Sequence, residues 1–293
     1  MSGRPGSNIP VFKLYGETVV WPTPDLIHCE SIAERSSLHD WEIKPHRHSD
    51  LVQLLYVQSG RALLKVEEVV REVEGPVLQV VPALSVHTFR FADTIQGHIL
   101  TLAMPLVEQL EAALDGFRLA TPLCHGPGDD SPELDRLFSA IVSEYHQVRV
   151  GRELMLQALI NQLLVWLCRR SEQSGAGQAA GSPDRGREHL QRFMHQLEES
   201  FRLHWSIEEH ARRLGISAAH LNALCRRLAD QSALQIINQR LLLEARRGLV
   251  YTTMTINQLS DSLGFSEPAY FTRFFKRAAG VSPRQFRDQL TTR

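Results

Sequence analysis

No run of about 18 consecutive apolar residues occurs in this chain, which argues against a membrane-spanning helix. The N-terminus lacks a basic patch followed by an apolar one, so no secretory signal is expected and the cytoplasm is the expected compartment. The four cysteines (Cys29, Cys124, Cys168, Cys225) are scattered and form no C-x-x-C pair. That pattern fits reduced thiols better than a disulfide frame or a cysteine-held zinc. Net charge is small as well, −1 over 293 residues. Its distribution is uneven: from residue 188 onward 15 Lys+Arg stand against 10 Asp+Glu (+5), and the first 187 residues hold 17 against 23 (−6). A cationic C-terminal part beside an acidic N-terminal part suits nucleic-acid binding at one end. Many domains that bind no nucleic acid carry +5, so the charge alone decides little.

The length suits two domains, each able to bury a core. The clearest boundary is residues 171–187, rich in Gly, Ala, Ser and Gln with almost nothing to bury, which reads as a flexible linker. Beyond it the most informative stretch runs from Thr255 to Arg287. Thr255 and Gln258 have capping-box spacing, and a short helix is expected to run to Leu263. Gly264 supplies the positive φ of an abrupt stop. Ser266 is expected to cap a second helix with Pro268 in its first turn. Phe271, Phe274, Phe275 and Ala278 recur at helical spacing as a buried stripe, leaving Ala269, Thr272, Arg273, Lys276 and Arg277 outside. This is a helix-turn-helix whose second helix offers donors and cations to a DNA major groove.

The same pattern occurs 49 residues earlier. Ser206 and Glu209 repeat the capping box, Leu214-Gly215-Ile216-Ser217 repeats Leu263-Gly264-Phe265-Ser266, and Leu221, Leu224, Cys225 and Leu228 form the inner stripe. After the turn the offset becomes 50. A long apolar helix over 236–250 joins the units. With the run L-G-F-S-E-P-A-Y-F-T-R-F-F-K-R-A-A-G-V-S-P, the segment 188–293 resembles the AraC/XylS-type DNA-binding domain. The resemblance implies two recognition helices entering successive major grooves on one face of the duplex. Three positions depart from the family pattern: Asp230 stands where Gly is usual, Ala233 where Pro is frequent, and Ser260 where Ala is usual. Asp230 is expected to strain its turn if positive φ is needed there.

In the first unit Ala218, Ala219, Asn222, Ala223, Arg226 and Arg227 are expected outward. Asn222 suits a bidentate pair with adenine, and the alanine methyls suit thymine methyls. Arg226 and Arg227 suit phosphates. In the second unit Arg273 is the first choice for a guanine, with Glu267, Ala269 and Thr272 near base edges and Lys276 and Arg277 along the backbone. A solvated surface charge is the alternative for each cation.

Ahead of the linker, short β-rich runs at 51–57, 61–66, 77–81 and 97–102 suggest a sandwich or barrel. Among them lie His46, His48, Gln53, Gly60, Gly75, Pro82 and His87. This spacing resembles the cupin pattern, in which H-x-H, a later carboxylate and a distant His converge inside a small barrel. AraC-type regulators commonly carry such a barrel as the effector-sensing part. Gln53 falls at the carboxylate position, and a neutral amide is a poor metal ligand. Three readings therefore stand: hydrogen-bonded structural histidines, a metal site, or effector ligands. The last is preferred, with His46, His48, Gln53 and His87 as polar groups and Trp41 and Tyr56, beside Phe89 and Phe91, walling an aromatic ring. Neither a metal nor another cofactor is expected. The wording of the C-terminal part resembles the branch activating 4-hydroxybenzoate catabolism, which makes an aromatic carboxylate the expected effector.

Residues 105–170 read as helical, with a third segment around Leu154, Leu156, Leu159, Ile160, Leu163, Leu164 and Leu167 apolar on more than one face. Either it packs wholly on the barrel or it also meets its copy in a homodimer. The expected architecture is α+β and multidomain: a cupin-like barrel (1–104), a helical, candidate dimerisation segment (105–170), the linker, and an all-α domain of two helix-turn-helix units (188–293). The expected function is a DNA-binding transcription activator that contacts RNA polymerase. Its rivals are a metal-dependent cupin enzyme with a DNA-binding tail, and a constitutive DNA-binding protein with a non-sensing barrel.

Overall fold

The computed structural model describes residues 10, 26–114, 117, 119–147, 149–173 and 185–291 in two compact units divided at Gly181/Ser182. Most of the expected linker, residues 174–184, lies outside the described residues. Its flanks are helical rather than loose, since residues 171–173 end one helix and 185–187 begin another. Arg170 donating to the carbonyls of Gly126 and Pro127, and Ser171 bonded to His125, hold the first of these ends.

The first unit stacks two antiparallel sheets. One has the order β1 (Ile27–Ser31), β8 (Gln96–Ala103), β3 (Leu51–Ser59), β6 (Val77–Val81) and β9 (Leu123–His125). The other has the order β2 (Glu42–His46), β7 (His87–Phe91), β4 (Arg61–Val66) and β5 (Val69–Glu74). The period of two along β3 sorts its side chains. Leu55 and Val57 enter a core with Ala62, Leu64, Val66, Phe89 and Phe91 of the other sheet. Leu54 and Tyr56 join a second core with the helices. The β-rich reading holds, but the barrel is not closed. Among the described residues no ladder joins the edges β1 and β9 to the edges β2 and β5. The chain instead bends from β3 into β4 at Gly60, whose φ is +92° and where a Cβ would lie 2.9 Å from the Ile95 Cα.

Helix α1 (Ile32–Ser37) follows β1, and α2 (Met104–Ala112), α3 (Ser131–His146) and α4 (Arg152–Gln173) pack on the five-stranded sheet. Strand β9 interrupts the region expected to be helical; three residues are too few to display an alternation. Along α4, Leu156, Ile160, Leu163, Leu164 and Leu167 are buried, whereas Leu154 and Met155 are exposed. Among the described residues no helix is long and apolar enough to cross a membrane.

The second unit is all helical: α5 (Arg185–Ser200), α6 (Ile207–Leu214), α7 (Ala218–Ala229), α8 (Ala233–Tyr251), α9 (Ile256–Ser262), α10 (Pro268–Ala279) and α11 (Pro283–Thr291). The repeat is visible in its starts: 207 against 256, then 218 against 268. Arg240 of α8 ties α8 to α5 through Glu198 at 2.6 Å, both side chains largely buried, and stacks over Phe201. The Thr255–Gln258 capping box is complete. Its expected counterpart is only half formed: Ser206 accepts from the Glu209 N–H, but the Glu209 carboxylate turns to Arg212 and Arg213 instead. Two guanidiniums outcompete a single backbone N–H for the anion, and they hold the Glu209 carboxyl down at about 2.

Candidate nucleic-acid interface and effector site

Both turns have the geometry a helix-turn-helix needs. Gly215 and Gly264 end α6 and α9 at φ +74° and +78°. Ser217 caps α7 by accepting from the His220 N–H. Ser266 does not cap α10 as expected: the N-cap is Glu267, with no side-chain cap bond and Pro268 following it. Pro268 brings no N–H of its own, so one of the orphan donors a cap would satisfy is already missing.

On α7 the apolar stripe is buried as expected, and Ala219, Ala223, Arg226 and Arg227 are exposed on the outward face, whereas Ala218 is half-buried. Asn222 is not a free base-reading amide. It is half-buried, its Nδ2 donates to the Ala218 carbonyl at 3.3 Å, and its Oδ1 accepts from the Ala233 N–H at 3.1 Å. The amide that suits adenine is therefore committed to the start of α8. A proline at 233 would have no N–H to give, so two of this chain's local choices are coupled.

On α10 Phe271, Phe274 and Phe275 are buried, but Ala278 is exposed, because the stripe has rotated away by the last turn. Glu267, Ala269, Arg273, Lys276 and Arg277 lie on the outward face. Thr272 is half-buried and donates to the Pro268 carbonyl. Among the described residues, Arg226, Arg273, Lys276 and Arg277 form no ion pair with a carboxylate. Sequence reasoning missed two exposed side chains on these faces, His220 and Tyr270. The Arg273 guanidinium lies 4.6 Å from the Tyr270 ring centroid, a stack that orders an otherwise flexible cation. The same helical period that selected Ala269 and Arg273 would have found Tyr270.

In the first unit His46, His48 and His87 converge. Cross-strand pairing places His46 opposite His87, and a register shift in β2 lies between Ile43 and His46. Ring centroids are 4.1 Å apart for His46 and His87, 4.9 Å for His46 and His48, and 5.2 Å for His48 and His87. All three residues are buried. His46 donates from Nδ1 to the Lys44 carbonyl at 2.9 Å, and His87 from Nδ1 to the Ser85 carbonyl at 3.0 Å. A carbonyl only accepts, so both rings carry the proton on Nδ1 and present the Nε2 lone pair. Burial, with repulsion from His87 and His48, holds His46 far below the usual histidine range; burial and repulsion from His48 lower His87 to about 3. Both rings are neutral near pH 7.

The aromatic wall needs revision. Phe89 and Phe91 lie between the sheets with Trp41 packed against that core, and Phe89 sits 5.3 Å from His87, ring to ring. Tyr56 is on the other face of β3, stacked on Phe138 at 4.6 Å and donating to Asp135 at 2.7 Å. Alternation separates it from Leu55 and Val57, so it walls no effector between the sheets. Gln53 is buried and donates to Thr101 at 3.4 Å. Thr101 and the buried Gln79, whose amide donates to the Leu123 carbonyl, are polar inward residues the sequence reading passed over. Alternation along β6 and β8 was the available signal.

Two family descriptions match: an AraC-like ligand binding domain over residues 28–164 and a helix-turn-helix domain over residues 210–289. Among curated relatives, the virulence regulon transcriptional activator VirF of Yersinia enterocolitica is 31% identical over 141 residues, 48% of each chain. The arabinose operon regulatory protein of Salmonella typhimurium is 28% identical over 156 residues, 53% of each chain. The chain thus spans about half the length of the curated relatives it matches. Among solved structures, an apo point variant of ToxT from Vibrio cholerae aligns over 91% of this chain and 98% of its own at 12% identity, with a TM-score of 0.42.

Proposed function

We propose that this chain, whose residues 28–164 match an AraC-like ligand binding domain and whose residues 210–289 match a helix-turn-helix domain, is an AraC-type sequence-specific DNA-binding transcription regulator governed by a small effector. The observation that carries the reading is the exposed face of α10. There Arg273, Lys276 and Arg277 stand without carboxylate partners among the described residues, over a buried phenylalanine core. Cations left unpaired by their own fold suit phosphates and base edges. Two such units support half-sites about one helical turn (~10 bp) apart.

The Phe89, Phe91 and Trp41 rings beside the histidines support an aromatic effector, for which an aromatic carboxylate such as 4-hydroxybenzoate is the candidate. The name of the Yersinia relative supports activation, which requires a contact with RNA polymerase. Exposed Leu154 and Met155 on α4 support a homodimer through residues 105–170. The regulators among its relatives support a non-enzymatic role, and a cytoplasmic location follows from regulating transcription.

Selecting bound sequences from random duplex DNA with the full chain tests the reading. A recurrent direct-repeat motif is expected. Arg273→Ala is expected to cost about 1–3 kcal/mol and relax one base position, whereas Lys276→Ala weakens binding to all sequences and lowers the salt slope by about 1. Enrichment of no motif refutes it. For the effector, 4-hydroxybenzoate at about 100 times its Kd is expected to stabilise the chain by about 2.7 kcal/mol.

A further inference from the structure

We propose that His204 is a positioning residue: with Trp205 it bridges the two helix-turn-helix units and thereby sets which spacing of half-sites the protein accepts. The inference rests on the DNA-binding reading given above. The two residues follow the short turn Phe201–Leu203 that connects α5 to the first unit. Consecutive side chains there take different partners. Trp205 serves the first unit: its ring lies 5.6 Å from that of His210 on α6, edge-on, and beneath the Arg213 guanidinium of the same helix at 3.8 Å. His204 serves the second unit, 59 residues further along the chain. Its Nε2 donates to the Leu263 carbonyl at 2.9 Å, and its ring meets Phe265 edge-on with centroids 4.6 Å apart.

Both His204 contacts fall on the turn that aims the second recognition helix. Phe265 in turn touches Phe271 and Phe274 of α10, each at 5.4 Å between centroids, so the position of its ring is felt by α10. The backbone is shaped for the approach. His204 has φ +50°, a left-handed conformation that a non-glycine residue keeps only where its surroundings hold it. The Arg202 carbonyl lies directly against Gly264, where a Cβ would collide with it. The turn before His204 is itself fixed to α8, through the Arg202–Glu244 ion pair at 3.1 Å and the Arg240 guanidinium 4.0 Å over Phe201.

This second tether matters because α8 alone leaves freedom. The first unit is held at the start of α8 by the Asn222–Ala233 bond, and the second lies near its end, where Leu259 packs onto Gly248. Between α8 and α9 the chain runs through residues 252–255, all exposed, about which the second unit could tilt or turn. The His204 bridge closes that freedom. Each base pair added between half-sites moves them about 3.4 Å apart and rotates one against the other by about 34–36°. Bridged units cannot follow such a change without breaking the contacts of His204 to Leu263 and Phe265.

The test uses the full chain and duplexes carrying its selected half-sites at the preferred spacing, one base pair closer and one base pair further apart, with binding followed by fluorescence anisotropy. Changing the spacing is expected to weaken wild-type binding by about 10-fold, the worth of a hydrogen bond and an edge-on ring contact together. In His204→Gly, which accepts φ +50° freely, the penalty is expected to shrink to less than about threefold. His204→Asn also tolerates the left-handed backbone but is too short to keep both contacts, and is expected to behave alike if the glycine variant does not fold. His204→Gln carries an amide N–H at the reach of Nε2 and is expected to restore part of the spacing preference. A merely structural role would weaken binding at every spacing by the same factor, and that result overturns the inference. If the chain binds a motif but its spacing penalty is the same in wild type and variants, this inference falls and the DNA-binding reading stands. If the wild-type chain enriches no motif, both fall together.

Discussion

Truncating Asn222 separates a structural amide from a base reader. In Asn222→Ala two hydrogen bonds disappear, and the Ala233 N–H at the first turn of α8 loses its acceptor. A net hydrogen bond is worth about 0.5–1.5 kcal/mol, and stranding a buried donor about 1–3 kcal/mol. Because Asn222 is half-buried and water can partly replace it, a loss of about 1–2 kcal/mol is expected. The decisive comparison adds Ala233→Pro. Ala233 is the first residue of α8, and Ser232 before it has ψ 158°, the extended conformation a following proline demands. Proline removes the N–H, so Asn222→Ala in that background strands no donor. A double-mutant cycle by urea denaturation should show about 1 kcal/mol of coupling, and hydrogen exchange at Ala233 should accelerate in the single Asn222 variant. If the two changes add within about 0.3 kcal/mol, Asn222 does not hold the turn. If Asn222→Ala leaves stability untouched but alters base preference at one operator position, the adenine-reading role is restored.

Asp230 ends α7 at φ +56°, so Asp230→Gly is expected to stabilise the chain by about 0.5–1 kcal/mol, read from the urea midpoint. Gly264→Ala and Gly215→Ala should differ sharply although both have positive φ. A Cβ at 264 would collide with the Arg202 carbonyl oxygen, whereas at 215 it meets nothing within 4 Å. About 1–2 kcal/mol is expected at 215 and more than about 4 at 264, and equal losses by urea denaturation would refute the close approach. Tyr56→Phe keeps the Phe138 stack and loses the bond to Asp135, so a cost of about 1 kcal/mol is expected with an unaltered effector response. A changed effector affinity in Tyr56→Phe would return that ring to the binding site.

Local and periodic features were legible in the sequence. Both helix-turn-helix units, the 49-then-50 offset, the glycine stops, the long helix between the units and the four strand runs that became β3, β4, β6 and β8 follow from residue spacing and backbone preference, and the structure places them there. The positive φ at Asp230 was anticipated only through the resemblance, which usually has Gly at that position, and is realised at φ +56°. The convergence of His46 and His48 with His87 followed from a resemblance and is realised by the pairing of β2 with β7.

Tertiary structure alone decided which of two faces or partners a side chain takes. Period two says that Tyr56 and Leu55 point apart, but not that Tyr56 meets the helices, because both faces of β3 are buried. Asn222 lies at an outward helical position, yet the neighbouring start of α8 turns its amide inward. Glu209 had a backbone N–H and two guanidiniums within reach, and charge decided. The three-residue β9 and the unclosed sheets depend on contacts between residues far apart in the chain, for which local pattern carries no signal. The tautomers of His46 and His87 were likewise beyond the sequence, since only the folded backbone brings the carbonyls that fix them.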